Sequence, residues 1–154
     1  MNIRPPTLGD IPAIKSVILA TGLFPAEMLD EMILPFLEGT AGHAQWFTIG
    51  DHAPFGVAYC APERMTDGAW NLLLIAIHPD QQGQGHGARL MRHVEENLRG
   101  SGQRILLVET SGLSEFEQTR AFYAKLGYTS EARIRDYYKD GEDKIVFRKA
   151  LASV

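Results

Sequence analysis

The spacing of apolar residues alternates between two periods along the chain, and each period predicts a different kind of element. The strand–helix–strand order from Trp70 to Val108 predicts a βαβ unit with parallel strands and a right-handed crossover. Apolar residues three to four positions apart predict four helices, from Thr7 or Asp10 to Thr21, from Pro25 to Leu34, from Gly87 to Gly100 and from Ser114 to Gly127. Short apolar runs predict seven strands, Asn2–Arg4, Gln45–Ile49, Phe55–Cys60, Ala69–Ile77, Ile105–Val108, Arg133–Tyr138 and Asp143–Phe147.

Local signals refine the ends and faces of the helices. Pro35 is expected to end or kink the second helix because proline lacks an N–H and collides with the preceding turn. Ser114 and Glu117 have the spacing of a capping box and are expected to start the fourth helix. Tyr123 projects about 100° around that helix from Phe122, which is expected to face the core. We therefore expect Tyr123 to emerge from the apolar face toward a cleft.

The glycine-rich stretch Gln81–Gly87 separates a buried strand from an amphipathic helix. Its three alternating glycines permit positive φ and leave room for a ligand to approach the backbone. Successive N–H groups and the positive end of the helix dipole can then hold an anion, most naturally a phosphate. The alternative interpretation is a tight strand-to-helix turn that binds nothing.

The residues beside the glycines limit the class of phosphate ligand. A Walker loop needs Lys followed by Ser or Thr after its last glycine, whereas Ala88–Arg89 follows Gly87. A dinucleotide fingerprint is also a poor fit, because the glycines here are spaced G-x-G-x-G. The sequence therefore disfavours an enzyme that acts on nucleoside triphosphates.

Composition and charge predict one globular domain over residues 1–154. Hydrophobic residues make up 45% and charged residues 22% of the chain, and no apolar run reaches the roughly 18 residues of a membrane span. The single cysteine cannot form an internal disulfide, which favours a reducing, cytoplasmic location. A formal net charge of −4 with scattered basic residues argues against nucleic acid as a partner. No Cys or His pairs have ligand spacing, so no metal is expected.

The motif Gln82-x-x-Gly85-x-Gly87 resembles the pyrophosphate-binding signature Q/R-x-x-G-x-G/A of the GNAT superfamily of acyl-CoA-dependent N-acetyltransferases. The resemblance covers nearly the whole chain and is most specific from Asn71 to Tyr128. Three further segments resemble the family's strand before the loop, its later helix and its opening. These segments are Leu74–Pro79, Ala121–Tyr128, and Ile3–Pro5 with Asp10.

The resemblance implies both a fold and an activity. The fold is α/β (α+β), a central mixed, mostly antiparallel twisted sheet of about seven strands flanked by about four helices, with a βαβ unit that binds acyl-CoA. The implied activity is direct transfer of an acetyl group from acetyl-CoA to a primary amine of a small molecule, peptide or protein. The alternative is a non-catalytic domain of the same fold that binds CoA as a ligand or sensor. Dimers are common in the family, so a homodimer is compatible with this chain.

The resemblance also assigns residues to acetyl-CoA. Backbone groups of Ile75 and Ile77 are expected to hold the pantetheine arm. Arg89 is expected to reach the nucleotide phosphates, although a solvated helix face explains that residue equally well. The pyrophosphate-binding residues implied by position are Gln82, Gly83, Gln84, Gly85, His86, Gly87 and Ala88.

Two catalytic roles follow from the chemistry of the transfer. The leaving thiolate gains from a proton donor, and a protonated amine needs a base or a water relay. Tyr123 matches the family's general acid beside the CoA sulfur; the alternative is a packed tyrosine without a proton role. Many relatives place a glutamate on the strand before the loop, but Asn71–Ile75 has no carboxylate. Glu109 is the first candidate base, followed by Asp136 and His78, while a water relay or a purely structural Glu109 also fits.

Overall fold

The computed structural model describes residues 2–151. Over that range the chain forms four α-helices and seven β-strands in the predicted order. The helices are Ile11–Thr21 (α1), Leu29–Leu37 (α2), His86–Gly100 (α3) and Glu117–Lys125 (α4). The strands are Ile3–Arg4 (β1), Gln45–Ile49 (β2), Gly56–Pro62 (β3), Ala69–Ile77 (β4), Ile105–Ser111 (β5), Thr129–Lys139 (β6) and Glu142–Ala150 (β7).

The described strands form one mixed sheet in the order β1-β2-β3-β4-β5-β7-β6. Strands β4 and β5 are parallel, with Ala69 opposite Ile105 and Leu72 opposite Val108, as expected for a βαβ unit closed by α3. The pairs β1–β2, β2–β3, β5–β7 and β6–β7 are antiparallel. The predicted fold class is therefore confirmed.

The chain divides into two compact units. The first contains the described residues up to Ala61 together with Leu73–Asn97. The second contains Pro62–Leu72 and the described residues from Leu98 onward. That the whole chain is one domain stays a prediction.

The core of the first unit lies where α1 and α2 pack on strands β2, β3 and β4. The ring of Trp46 stacks on that of Tyr59 with 4.2 Å between centroids. Cys60, the only cysteine in the chain, is fully buried in β3, and burial raises the pKa of its thiol to about 12. The buried core residues are Ile14, Val17, Ile18, Leu29, Ile33, Trp46, Val57, Leu74 and Ala76.

Helix α2 continues past Pro35, so the prediction that it ends near Leu34 is wrong, while a kink at Pro35 stays a prediction. The proline removes one intrahelical bond, the one that an N–H at residue 35 would make to the Glu31 carbonyl, and only Phe36 and Leu37 follow it in the helix. The Pro35 carbonyl is still satisfied, because the Thr40 N–H donates to it at 2.8 Å. The helix therefore ends at Leu37 rather than at the proline.

The second unit is built on β5, β7 and β6, with Leu106, Val108, Ile145 and Phe147 buried in it. The β6–β7 hairpin is longer than predicted at both ends, and every residue of β6 is exposed. Strand β6 lies at the edge of the sheet.

Two predictions for α4 are wrong. Leu113 precedes the first turn and no side-chain cap is present, so Ser114 does not form the predicted capping box. The Arg120 guanidinium instead donates to the carbonyls of Ser111 and Leu113, each at 2.8 Å. Tyr123 does not emerge from the helix, because it is the buried residue of α4, whereas Phe122 is only half-buried.

Candidate functional site

The glycine-rich loop adopts the backbone that its sequence predicts. Gly83 has φ +77° and Gly85 has φ +83°, and no atom lies within 4 Å of the position that a Cβ would occupy at either residue. Only glycine adopts this left-handed conformation at little cost, and a side chain here would fill open space in front of the backbone. The loop therefore leaves its amides open to a ligand.

Three amides at the start of α3 are available to such a ligand. The first N–H that bonds within the helix is that of Arg89, which donates to the Gly85 carbonyl at 3.1 Å. The amides of His86, Gly87 and Ala88 precede it, and helix amides in these positions have no intrahelical acceptor. Together with the helix dipole they fit the oxygens of a pyrophosphate.

Gln82 fastens the loop to the end of β4. Its Nε2 donates to the Ile77 carbonyl at 2.9 Å, although Gln82 itself is exposed. Ile75 and Ile77 are half-buried on the face of β4 opposite Leu74 and Ala76. The register with β5 ends at Leu72, so it does not include either isoleucine.

His86 was predicted to bind the cofactor, but its side chain is enclosed by protein. The imidazole is 5% exposed, and its ring centroid lies 4.8 Å from that of Phe55. Neither ring nitrogen has a hydrogen-bond partner among residues 2–151. Only the backbone amide of His86 is therefore positioned for a ligand. Arg89 is half-buried and already interacts with other protein groups.

Tyr123 lies in an aromatic cluster of the second unit and is 4% exposed. Its ring centroid is 5.2 Å from that of Phe122 and 5.8 Å from those of Tyr128 and Phe147. Burial raises the pKa of the Tyr123 phenol above its ordinary value. These contacts fix the position of the Tyr123 ring.

Glu109 belongs to a network of polar side chains in the same unit. Its Oε1 accepts from Lys144 Nζ at 3.0 Å, and its Oε2 accepts from Asn71 Nδ2 at 3.1 Å. The Glu109 side chain is 32% exposed. Burial lowers the pKa of Lys144, but the hydrogen bond and charge of Glu109 outweigh that effect and leave the pKa raised. The Lys144 ammonium also lies 4.0 Å from the ring centroid of Tyr137.

Three members of this network, Asn71, Glu63 and Lys144, were missed by sequence analysis. Asn71 is 7% exposed, and its Nδ2 also donates to Glu63 Oε1 at 2.9 Å. One signal was present in the sequence, because Asn71 is a polar residue inside the apolar run Ala69–Ile77. Glu63 gave no such signal, since it lies in a polar turn.

The other candidate bases hold turns together. Asp136 Oδ1 accepts from the Gly141 N–H at 2.8 Å, which accounts for its positive φ of +54°. His78 Nδ1 accepts from the Asp80 N–H at 3.2 Å. No group of three or more potential metal ligands lies together among residues 2–151. No helix within that range is long and apolar enough to cross a bilayer.

Residues 42–130 match the acetyltransferase (GNAT) domain family. The match extends over more than half of the chain, and the chain therefore belongs to the GNAT family of acetyltransferases.

Three known proteins illustrate the similarity. A Desulfovibrio desulfuricans protein, described as a GNAT-family acetyltransferase, is 30% identical with a TM-score of 0.91, covering 98% of this chain and 99% of that one. An aminoglycoside 6'-N-acetyltransferase solved with coenzyme A is 15% identical with a TM-score of 0.81, covering 100% and 99%, and shares the fold. The amino-acid acetyltransferase of Neisseria meningitidis serogroup A is 26% identical over 98% of this chain. The chain spans 34% of that curated relative.

Proposed function

We propose that this protein transfers the acetyl group of acetyl-CoA directly to a primary amine of a small molecule, peptide or protein. The observation that carries the proposal is the glycine loop, in which the amides of His86, Gly87 and Ala88 precede the first bond within α3. Amides arranged in this way bind pyrophosphate, and acetyl-CoA carries one. A solved relative of the same fold contains coenzyme A.

The remaining contacts to acetyl-CoA follow from the same segment. Gly83 and Gly85 place no side chain in front of the backbone where the pyrophosphate would approach. Backbone groups of Ile75 and Ile77 would hold the pantetheine arm, while Gln82 keeps the loop closed onto β4. Gln84 and Arg89 stay candidates for the nucleotide phosphates.

The chemistry requires three proton movements for each acetyl group transferred. The acceptor ammonium loses one proton, and its nitrogen then bonds to the acetyl carbon as the bond from that carbon to sulfur breaks. The adduct nitrogen loses a second proton, and the departing thiolate gains one, so one proton is released overall. We assign protonation of the thiolate to Tyr123, because its raised pKa keeps the phenol protonated at neutral pH.

The acceptor of the first proton is a carboxylate of the network around Glu109, acting directly or through water. This network carries negative charge from Glu63 and Glu109 against one ammonium, that of Lys144. A cationic amine is attracted to such a site, and its proton can leave through the partly exposed carboxylates.

The class of acceptor is open to a direct test. The relatives named above act on amino acids and on aminoglycosides. We would first titrate the protein with acetyl-CoA by calorimetry. We would then measure thiol release with four amines: glutamate, kanamycin, spermidine and a peptide with an N-terminal alanine. Binding together with turnover of at least one amine is the expected result. Binding without turnover of any amine would favour a CoA sensor, and absence of binding would overturn the proposal.

A further inference from the structure

The turn between β3 and β4 is held in a strained conformation by several hydrogen bonds. Met65 has φ +60° although it is not a glycine. The Glu63 N–H donates to the Ala69 carbonyl at 2.8 Å, and Thr66 Oγ1 donates to the Glu63 carbonyl at 2.9 Å. Arg104 Nε donates to the Asp67 carbonyl at 2.5 Å. Backbone strain persists only where the surroundings fix it, so the position of Glu63 is tightly determined.

The Glu63 side chain is held in place by a second residue, Asn71. Asn71 Nδ2 uses its two protons on two carboxylates, Glu63 Oε1 and Glu109 Oε2. This sets the orientation of the amide, because the reversed amide would turn its oxygen toward both carboxylates. The Asn71 Oδ1 is left buried without a partner among the described residues. An orphaned buried acceptor costs free energy, and such costs are concentrated at functional sites.

The carboxylates of Glu63 and Glu109 differ in how many of their oxygens already accept a hydrogen bond. Both oxygens of Glu109 are occupied, one by Lys144 and the other by Asn71. Glu63 is half-buried and its carboxylate accepts only from Asn71, so within residues 2–151 its Oε2 has no partner. Of the two groups, Glu63 is therefore the one with a whole carboxylate oxygen, Oε2, that no protein donor holds, whereas each oxygen of Glu109 already accepts one hydrogen bond.

We propose that Glu63 is the catalytic base that takes the proton from the acceptor ammonium, and that Asn71 is the positioning residue that aims it. This inference rests on the proposed acetyl transfer. The carboxylate of Glu63 gains the proton as the ammonium becomes a neutral amine, whose lone pair then attacks the acetyl carbon. Glu63 returns that proton to water through its exposed edge, which restores the carboxylate for the next turnover. Glu109 and Lys144 keep Asn71 in place from the opposite side.

The test compares Glu63→Gln with Asp67→Asn, which removes a carboxylate from the same turn. With the fastest amine of the panel, Glu63→Gln should lower kcat/KM about 100-fold at pH 7, the range typical of a lost general base. The loss should shrink as the pH rises, because more of the amine is then already neutral. Acetyl-CoA affinity and Tm should stay as in the wild type. Asp67→Asn should change kcat/KM less than about twofold, as expected for a surface substitution away from the site.

Asn71 is tested through its coupling to Glu63. Asn71→Ala should lower kcat/KM, and the double variant Glu63→Gln/Asn71→Ala should be no slower than Glu63→Gln alone. Additive losses would overturn the positioning role. Wild-type turnover by Glu63→Gln at pH 7 would overturn the catalytic role while leaving acetyl transfer intact. Absence of turnover in the wild type itself would overturn acetyl transfer, and the role of Glu63 with it.

Discussion

Tyr123 combines a fixed ring with a protonated hydroxyl. Packing against Phe122, Tyr128 and Phe147 allows the ring little movement. Burial also raises the pKa of the phenol, while a thiol has a pKa near 8.5. Full transfer of the proton to a thiolate is therefore uphill. In the proposed role, Tyr123 donates its proton while the bond to sulfur breaks and regains the second proton, which the adduct nitrogen releases, so that no phenolate persists.

This role predicts a selective effect of Tyr123→Phe. The variant keeps the ring and its packing but loses the proton, so kcat should fall about 100-fold. The dissociation constant of acetyl-CoA, measured by calorimetry, should stay within about twofold of the wild type, because the hydroxyl acts on sulfur only as the bond breaks. Tyr128→Phe removes a hydroxyl from the same cluster and should leave most of the turnover. Equal losses of turnover and affinity in Tyr123→Phe would contradict its role as the acid.

Asp10 supplies a pH-dependent part of the stability. The hydrogen bond from Arg4 is the main cause that lowers the pKa of Asp10 to about 2, and only 10% of its side chain is exposed. A carboxyl whose pKa is lower in the folded state stabilises the protein above its unfolded pKa, near 3.9, and this contribution is lost as the pH falls toward 2.

Asp10→Asn should therefore lower the free energy of unfolding at pH 7 by about 2 kcal/mol, since one pKa unit corresponds to about 1.4 kcal/mol. Urea unfolding at pH 7 and at pH 2.5 measures the effect, and the difference between variant and wild type should shrink at the lower pH. Asp30→Asn breaks the exposed ion pair with Lys15 and should cost less than about 1 kcal/mol. Similar losses for the two variants would mean that the Arg4–Asp10 pair contributes no more than a surface pair.

At the scale of elements, the glycine loop can be tested against a matched glycine elsewhere. Gly85 and Gly102 have φ values of +83° and +82°, and both have open space where a Cβ would be. Valine at either position carries the same left-handed strain, about 1–2 kcal/mol. Only at residue 85 would it also stand in front of the amides that are proposed to hold the pyrophosphate.

Gly85→Val and Gly102→Val should therefore lower Tm by similar amounts, as thermal unfolding can show. Calorimetry with acetyl-CoA should separate them, with at least about a 100-fold loss of affinity, or about 2.7 kcal/mol, for Gly85→Val alone. Unchanged affinity in Gly85→Val would refute the assignment of the loop.

Helix α4 shows where local sequence signals fail. The spacing of its apolar residues indicates that one face is buried, but it does not decide whether Phe122 or Tyr123 is the more deeply buried of the two. Tyr123 is buried because Tyr128 and Phe147, which follow it in the chain, close over its ring. The start of the helix depends likewise on Arg120, whose guanidinium satisfies the Ser111 and Leu113 carbonyls. Contacts of this kind are tertiary, and the S-x-x-E spacing carries no information about them.

Across the whole molecule, the sequence predicted the helices and strands better than it predicted the network of polar side chains around Glu109. Periodicity placed β4 at Ala69–Ile77, the bounds that the structure shows. The network of Glu63, Asn71, Glu109 and Lys144 draws on residues far apart in sequence. Asn71 meets Glu109 because Leu107 is paired opposite Asn71 and Glu109, two residues later, projects from the same face of the sheet. Only the strand register reveals that proximity.

Cys60 has a consequence for how turnover is measured. It is the only thiol that the polypeptide contributes, and it is fully buried with a pKa of about 12. Thiolates attack disulfide reagents, and a buried thiol of raised pKa supplies almost no thiolate, so the folded protein reacts very little with them. Colour that develops with such a reagent during the proposed acetyl transfer would therefore count liberated coenzyme A alone. In a denaturant series without substrate, the same reagent would count unfolded molecules, so one dye reports both chemistry and conformational opening.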